Sequence, residues 1–171
     1  MTEATAPNEP RSLESLVGSL VTALATGPPG DAASLRRLDA ADPSCAAFWK
    51  LSSAFLSTAR PLSEEEERRW ASVMNVIAHA GGLHRYGREH SLGRALAKMR
   101  LSELRFTRLL RASGHALLRE AQILGRLLAA KAEPVDLTGI ASLVLSDGRS
   151  DEERVRRNLA RDYFGVLRSD D

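Results

Sequence analysis

The chain has 171 residues, of which 43% are hydrophobic, enough for one ordinary domain or two small ones with a buried core. Its single cysteine, Cys45, excludes an intrachain disulfide, and no window approaches the roughly 18 apolar residues that a membrane span requires. The N-terminus lacks a basic stretch followed by an apolar run, so we expect a cytoplasmic protein without membrane contact. Ala, Leu, Arg and Glu are abundant and no alternating strand pattern is visible, which predicts an all-α fold.

The first part of the chain is predicted to be a tail followed by short helices. Residues 1–11 hold two prolines and two glutamates without apolar periodicity, so we expect a disordered tail. Ser12 is a predicted N-cap, and the apolar residues behind it recur every three or four positions until Gly27. A short helix capped by Asp31 should follow, and Asp42-Pro43 should start a third helix over 44–59 that buries Cys45 as a small hydrophobe.

Four consecutive glutamates follow Ser63 and could be taken for a catalytic cluster. Ser63 and Glu66 also have the spacing of a capping box, and the other carboxylates would lie at the positive end of the helix dipole. The capped helix explains all four glutamates, so we predict a helix start here rather than an active site.

Three histidines, His79, His84 and His90, lie in or beside the Gly-rich connection GGLHRYGREH. No cysteine or clustered carboxylate completes a four-ligand zinc set, so we predict a loop with incidental histidines and no metal. The glycines match neither a phosphate-binding loop nor a dinucleotide fingerprint, and no cofactor is indicated.

The segment 85–131 is strongly basic. It contains eleven Lys/Arg against three Asp/Glu, a net charge of +8, whereas the whole chain carries +2 and the remainder therefore −6. Residues 1–84 sum to −3, with seven bases and ten acids. One sign of charge concentrated in one segment is how a protein attracts a polyanion.

Helical periodicity separates the arginines of this segment from its apolar residues. On one helix Arg119 and Arg126 lie opposite an apolar face, and on the preceding helix Arg108 and Arg111 project away from another. The guanidinium groups of these four arginines should therefore have no partner within the protein. The apolar residues of the two faces are Phe106, Leu109 and Leu110, then Leu117, Leu118, Ala121, Leu124 and Leu128.

Two further helices are predicted after Pro134. The first is capped at Val135-Asp136 and closed by Ser146-Asp147-Gly148, and the second opens with a capping box at 150–153. On the last helix a set of arginines shares one face, and Glu153 precedes Arg157 in the favourable order, so this face should be a weaker polyanion site. Its arginines are Arg154, Arg157, Arg161 and Arg168, opposite Val155, Leu159, Tyr163 and Val166.

The ordered series of short motifs resembles the small subunit of the type I-E CRISPR surveillance complex, the CasB family of Cascade. The motifs span roughly residues 30 to 165, and no single one is diagnostic. The chain departs from the family in lacking tryptophans near Ser146 and Asn158. The motifs are LRRL at 35–38, FWKL at 48–51, SLGRALA at 91–97, SELRF at 102–106, RLLRA at 108–112, LL at 127–128, VDL at 135–137, VRR at 155–157 and ARDYF at 160–164.

The resemblance implies an all-helical, non-catalytic protein of two small bundles, present as two copies along the inner face of the complex. It implies contacts with the backbone filament, the large subunit, the guide RNA and the target DNA backbone, which it helps to hold open. Arg94, Lys98 and Arg105 join the predicted nucleic-acid-binding residues through the SLGRALA and SELRF motifs, and Arg36 and Arg37 could extend the track. Arg94 and Arg105 could instead pair with carboxylates between the bundles.

The expected contact is with phosphate, because arginines on rigid helices bind the nucleic acid backbone without reading sequence. Aromatic residues are only 5% of the chain and none was found among the exposed basic faces, so no base-stacking platform is predicted. A helical scaffold that binds acidic partner proteins is the alternative. A helix-turn-helix regulator ranks last, since its recognition helix would carry Leu117 and Leu118, and no constellation indicates an enzyme.

We therefore predict eight or nine helices, with a disordered tail over 1–11, an N-terminal bundle over 12–84 and a C-terminal basic bundle over 85–171. The Gly-rich connection and the change in net charge motivate the boundary.

Overall fold

The computed structural model describes residues 11–39, 41–56 and 60–169. Within these ranges the chain forms nine α-helices and no strand, which confirms the predicted all-α fold. The predicted tail lies outside the described residues except for Arg11. The helices are α1 (Leu13–Thr26), α2 (Pro29–Arg36), α3 (Ala46–Leu51), α4 (Glu64–Ala80), α5 (Leu92–Lys98), α6 (Glu103–Arg111), α7 (Gly114–Lys131), α8 (Thr138–Ser146) and α9 (Glu152–Ser169).

Helix α4 lies at the centre of the fold. Every residue from Arg69 to Ala78 is buried, because α1, α2, α7 and α8 all pack around it. Gly125 of α7 permits a close approach of α7 to α4, since a Cβ there would lie 3.0 Å from the Cα of Val76. Helices from both sides of the predicted bundle boundary thus contribute to one buried cluster. The division into two bundles at 84/85 stays a prediction.

Two buried polar side chains of α4 tie its neighbours to it. Asn75 donates to the carbonyl oxygens of Leu35 and Arg36, at 2.8 and 3.1 Å, where α2 ends. Ser72 donates to the carbonyl of Leu118 in α7, at 3.0 Å. Each bond satisfies a group that would otherwise be costly to bury, so α2 and α7 are fixed relative to α4.

Four predicted helix starts were displaced by one to a few residues. α8 begins at Thr138 rather than at Leu137, and the Asp136 carboxylate accepts from the Thr138 amide at 3.0 Å. α2 begins at Pro29 rather than at a cap by Asp31, because proline suits the first helical position. α3 begins at Ala46, since the Asp42 carboxylate and the Pro43 carbonyl hold residues 42–45 in a turn. α9 begins at Glu152, and Glu153 pairs with Arg157 instead of closing a capping box.

Helix α3 differs from its prediction in two further respects. It continues as a π-helix over Ser52–Leu56, and the predicted end at 57–59 lies outside the described residues. Cys45 is half-buried rather than buried, because it precedes the helix and its neighbour Trp49 is 47% exposed.

The C-terminal helices pack on the basic segment. Gly93 of α5 lies against α9, where a Cβ would come within 2.5 Å of the Leu159 carbonyl oxygen. The rings of Phe106 and Tyr163 stack at 3.8 Å and are fully buried, and the Tyr163 hydroxyl donates to the Leu101 carbonyl. Burial raises the pKa of Tyr163.

Ser146 and Asn158, near which the sequence lacks the tryptophans that the resemblance implies, line a cavity of about 500 Å³ between α5, α8 and α9. Val144 of α8 and Leu159 of α9 are buried.

The capping box at the start of α4 is confirmed. Ser63 accepts from the Glu66 amide and the Glu66 carboxylate accepts from the Ser63 amide. The same carboxylate binds the guanidinium of Arg60 at 2.8 Å and that of Arg149 at 3.4 Å. Chiefly through the hydrogen bond from Arg60, the pKa of Glu66 is lowered to about 2.

We expect Glu66→Gln to lower the melting temperature at neutral pH. A carboxylate whose pKa is depressed in the folded state contributes stability above its unfolded pKa, near 4.5, and loses it as the pH falls towards 2. The gap between wild type and variant should therefore close over that range. It should not exceed a few degrees, because both guanidinium groups are mostly exposed.

Thermal melts at pH 7, 4 and 2.5 measure this gap. Glu64→Gln is the matched control, since Glu64 lies in the same helical turn but is 85% exposed and pairs with Arg68 of its own helix. A gap that is independent of pH would contradict the assignment.

Candidate nucleic-acid interface

The basic segment folds into three helices, and α6 and α7 carry most of its exposed arginines. Ser102 caps α6, whose Phe106 and Leu109 are buried, so that Arg105, Arg108 and Arg111 project outwards. Gly114 then turns the chain into α7 with a positive φ of 53°.

The first helix turn of α7 does not present a recognition surface. Its Leu117 and Leu118 are buried against the core, and neither is available to contact base edges. This geometry disfavours the helix-turn-helix alternative for the same reason that the sequence did.

A buried ion pair anchors the corner between α6 and α7. Arg156 of α9 donates to the carbonyls of Leu110 and Ala112, at 2.6 and 2.8 Å, where α6 ends. It also donates to Asp147 at 3.0 Å, and the second oxygen of Asp147 accepts from the Gly114 amide at 2.7 Å. The two side chains are only 14% and 9% exposed. One arginine and one aspartate thus fix the end of α6 and the start of α7.

Sequence analysis missed Arg156. The sequence did contain a signal, because Arg156 lies on the apolar side of α9, next to Val155 and three residues before Leu159. The four grouped arginines lie on another side of the helix. A charge on an apolar face indicates a buried partner. The partner Asp147 could not be found, because it lies in a turn that sequence periodicity does not position.

The prediction that the guanidinium group has no partner within the protein was wrong for Arg108. Its guanidinium forms an ion pair with Glu120 of α7, including a hydrogen bond of 2.8 Å from Nε. Glu120 lies four residues after Ala116 and faces α6 across a shallow groove that Arg111 also lines. The pairing lowers the net positive charge of the α6 face, although Arg108 is still 70% exposed.

Arg111, Arg119 and Arg126 are exposed and have no ion-pair partner among the described residues. Arg119 and Arg126 share a face of α7 with Gln122, which donates to the Leu38 carbonyl at 3.2 Å. This bond places the basic face of α7 beside the end of α2.

The structure brings Arg36 and Arg126 together around His79 of α4. Arg36 donates through Nε to the carbonyl of Ala78 at 2.8 Å, the residue before His79. The pKa of His79 is lowered, first by burial and then by the positive charges of Arg126 and Arg36. Arg37 is exposed in the next position of the chain. The predicted extension of the basic track from the N-terminal segment therefore has a spatial basis.

Arg94, Lys98 and Arg105 are not joined to this group by any described contact. Lys98 donates to the Glu89 carbonyl at 3.0 Å, and Arg105 is exposed. Arg94 is half-buried, with a buried Nε that has no hydrogen-bond partner. Neither Arg94 nor Arg105 pairs with a carboxylate in the described ranges, so the structural role weighed for them finds no support there.

Helix α9 presents the second basic face. Its four grouped arginines are all exposed, as predicted, and the pair between Arg157 and Glu153 forms. The prediction that no aromatic residue interrupts a basic face was wrong: Phe164 is 44% exposed and lies among these arginines. The reason is that Tyr163 fills the core position beneath α6 and leaves the next residue at the edge of the interface.

The family model for the CRISPR-associated protein Cse2 matches residues 31–164, which is most of the chain. The chain belongs to the Cse2 family. This membership confirms the resemblance to the small subunit of type I-E Cascade, and it makes the protein a subunit of a CRISPR Cascade complex with other subunits. No curated protein and no solved structure matches the chain.

The histidine-containing connection of this Cse2 chain has a structural role. The Nδ1 atom of His84 accepts a hydrogen bond from the Leu137 amide at 3.1 Å, and burial lowers the pKa of His84. Backbone bonds of Arg85 and Val135 join the same two loops. In the part of the chain that the structure describes, no group of three His, Cys, Asp or Glu residues could hold a metal ion. No helix there is long and apolar enough to cross a bilayer.

We expect Arg156→Met to lower the free energy of unfolding by about 3 to 5 kcal/mol. The substitution would leave the buried Asp147 carboxylate and two helix-end carbonyls without their partner, and breaking a buried pair costs about this much. Urea denaturation measures the change. Arg157→Met, one residue along the same helix, is the control, because its exposed pair with Glu153 contributes less than about 1 kcal/mol. Equal effects at the two positions would show that Arg156 is no anchor.

Proposed function

We propose that this Cse2 chain is a non-catalytic, cytoplasmic Cascade subunit that binds the nucleic acid backbone without sequence preference. In that role it stabilises the R-loop, in which target DNA is opened and paired with the guide RNA, and it bridges the backbone filament and the large subunit. A second copy of the chain would sit beside it. The nine basic residues predicted from the sequence remain the proposed contacts, with Arg108 the weakest of the first four.

The observation that supports the proposal most is the contact between the two basic segments: Gln122, on the face of α7 that carries Arg119 and Arg126, donates to the Leu38 carbonyl just after Arg36 and Arg37. Arg36 and Arg126 are 90 positions apart in sequence and lie on different helices, and both of their positive charges act on His79. No carboxylate of the described residues forms an ion pair with Arg36 or Arg126. Positive charges placed together in this way are suited to an external polyanion.

The energetics of the reaction fit this surface. Exchanging a DNA duplex for a heteroduplex of guide and target is close to balanced in free energy, so a few contacts to nucleic acid phosphates can decide the outcome. Arg119 and Arg126 are fixed on an 18-residue helix that is packed on α4, and Arg36 is held by its bond to Ala78. Their backbones need not become ordered on binding, and that lowers the entropic cost.

The alternative is a scaffold whose basic face binds acidic surfaces of the partner subunits. The paired Arg108 and the groove beside it favour this alternative for the α6 face alone, since Leu104, which lines that groove, is 82% exposed. The two functions differ in whether the isolated chain binds nucleic acid.

We expect the isolated chain to bind duplex and single-stranded nucleic acid weakly, with an affinity that falls steeply as salt rises. Arg119→Glu and Arg126→Glu should each weaken binding and reduce the slope of log affinity against log salt by about 1, because each removes a phosphate contact. Fluorescence anisotropy across a salt series measures both quantities.

The control for these variants is Arg68→Glu, which makes the same change of charge at the start of α4, on a side chain that is 43% exposed. All three variants should melt within a few degrees of wild type. If Arg119→Glu and Arg126→Glu bind nucleic acid like Arg68→Glu but fail to join the reconstituted complex, the scaffold is the correct function.

A further inference from the structure

The exposed face of α9 combines positive charge with an aromatic ring. At 100° per residue, Arg157, Arg161, Phe164 and Arg168 fall within about 60° of one another around the helix axis. All four are exposed, and Phe164 keeps 44% of its surface open to solvent. The ring therefore lies within a stripe of guanidinium groups.

The charges of this stripe are only partly offset by acids. Arg157 pairs with Glu153, and Arg154, at the edge of the stripe, lies 3.8 Å from Asp151. Arg161 contacts the side-chain oxygen of Asn158, an uncharged group, and Arg168 has no partner among the described residues. Both pairs are local and exposed, so a polyanion can compete for these guanidinium groups.

The ring of Phe164 is held in place from below. It meets the buried rings of Phe106 and Tyr163 edge to face, with centroids 5.7 and 5.1 Å away and interplanar angles of 85° and 88°. Those two rings are themselves stacked and fully buried. Phe164 is thus an exposed ring on a rigid aromatic base, which lowers the conformational entropy lost when something stacks on it.

We propose that the α9 stripe binds single-stranded nucleic acid, with Phe164 stacking on an unpaired base while Arg157, Arg161 and Arg168 contact the flanking phosphates. Exposed aromatic rings within a basic track are the arrangement by which proteins hold single strands, since every base offers a π-face. A duplex offers only its phosphates to this surface, so the stripe discriminates between paired and unpaired strands. The inference rests on the proposed nucleic-acid function and adds a second binding surface, with a different selectivity, to that of α2 and α7.

The test uses the full chain, Phe164→Leu and Phe164→Trp, with three fluorescent probes of equal length: a single-stranded DNA, the same strand with abasic sites throughout its centre, and a duplex. Each variant is compared with wild type on the same probe, so that the larger charge of the duplex cancels. Phe164→Leu keeps an apolar side chain against Phe106, and its melting temperature reports any structural role. We expect Phe164→Leu to weaken binding of the intact single strand about tenfold, a value within the range for loss of one stacked base. Binding of the abasic strand and of the duplex should not change, and Phe164→Trp should restore binding of the intact strand.

Other outcomes identify which statement fails. Equal weakening for all three probes, or no weakening for any, overturns the stacking role while the backbone-binding function stands through Arg119 and Arg126. Unchanged probe binding together with loss of assembly into the complex would show that the stripe is a protein-docking surface instead. If wild type binds none of the probes at low salt, the proposed function itself is refuted, and this inference with it.

Discussion

The burial of α4 on all sides is the constraint on which the rest of this structure depends. A helix enclosed in this way buries the polar side chains that it carries, and the Asn75 amide nitrogen and the Ser72 hydroxyl donate to α2 and α7. Both bonds act on the helices that carry exposed arginines. The packing of α4 therefore determines where Arg36 and Arg126 stand, although α4 itself contributes only His79 to that surface.

A second, independent anchor serves the other half of the basic segment. The Arg156–Asp147 pair holds the α6–α7 corner from α9, and the stacked rings of Phe106 and Tyr163 join α6 and α9 a short distance away. The start of α7 is held to α9 by this pair, whereas the ring of Phe164 on α9 rests on Phe106 and Tyr163. The exposed residues of the two basic surfaces have no partner in common, so substitutions of them should act almost additively.

Much of the fold was predictable because local patterns decide it. The apolar faces of α6 and α7 and the capping box at Ser63 follow from spacing alone, and all were confirmed. Helix starts were displaced at Pro29, Ala46 and Glu152, where several nearby residues could each begin a helix and tertiary contacts chose among them. The half-burial of Cys45 likewise depends on where α3 begins.

The candidate site was less predictable, since pairing across elements leaves no local pattern. Nothing in the spacing of Arg108 indicates that Glu120, 12 residues later on another helix, would neutralise it, and nothing in the spacing of Arg36 places it near Arg126. The exposure of Phe164 likewise could not be predicted from spacing. Periodicity assigned Tyr163 correctly to the core, but whether the next ring is covered depends on how far α6 extends over α9. The sequence therefore identifies the arginines of a basic face only as candidates. The contacts between helices decide which guanidinium groups are available to an external partner.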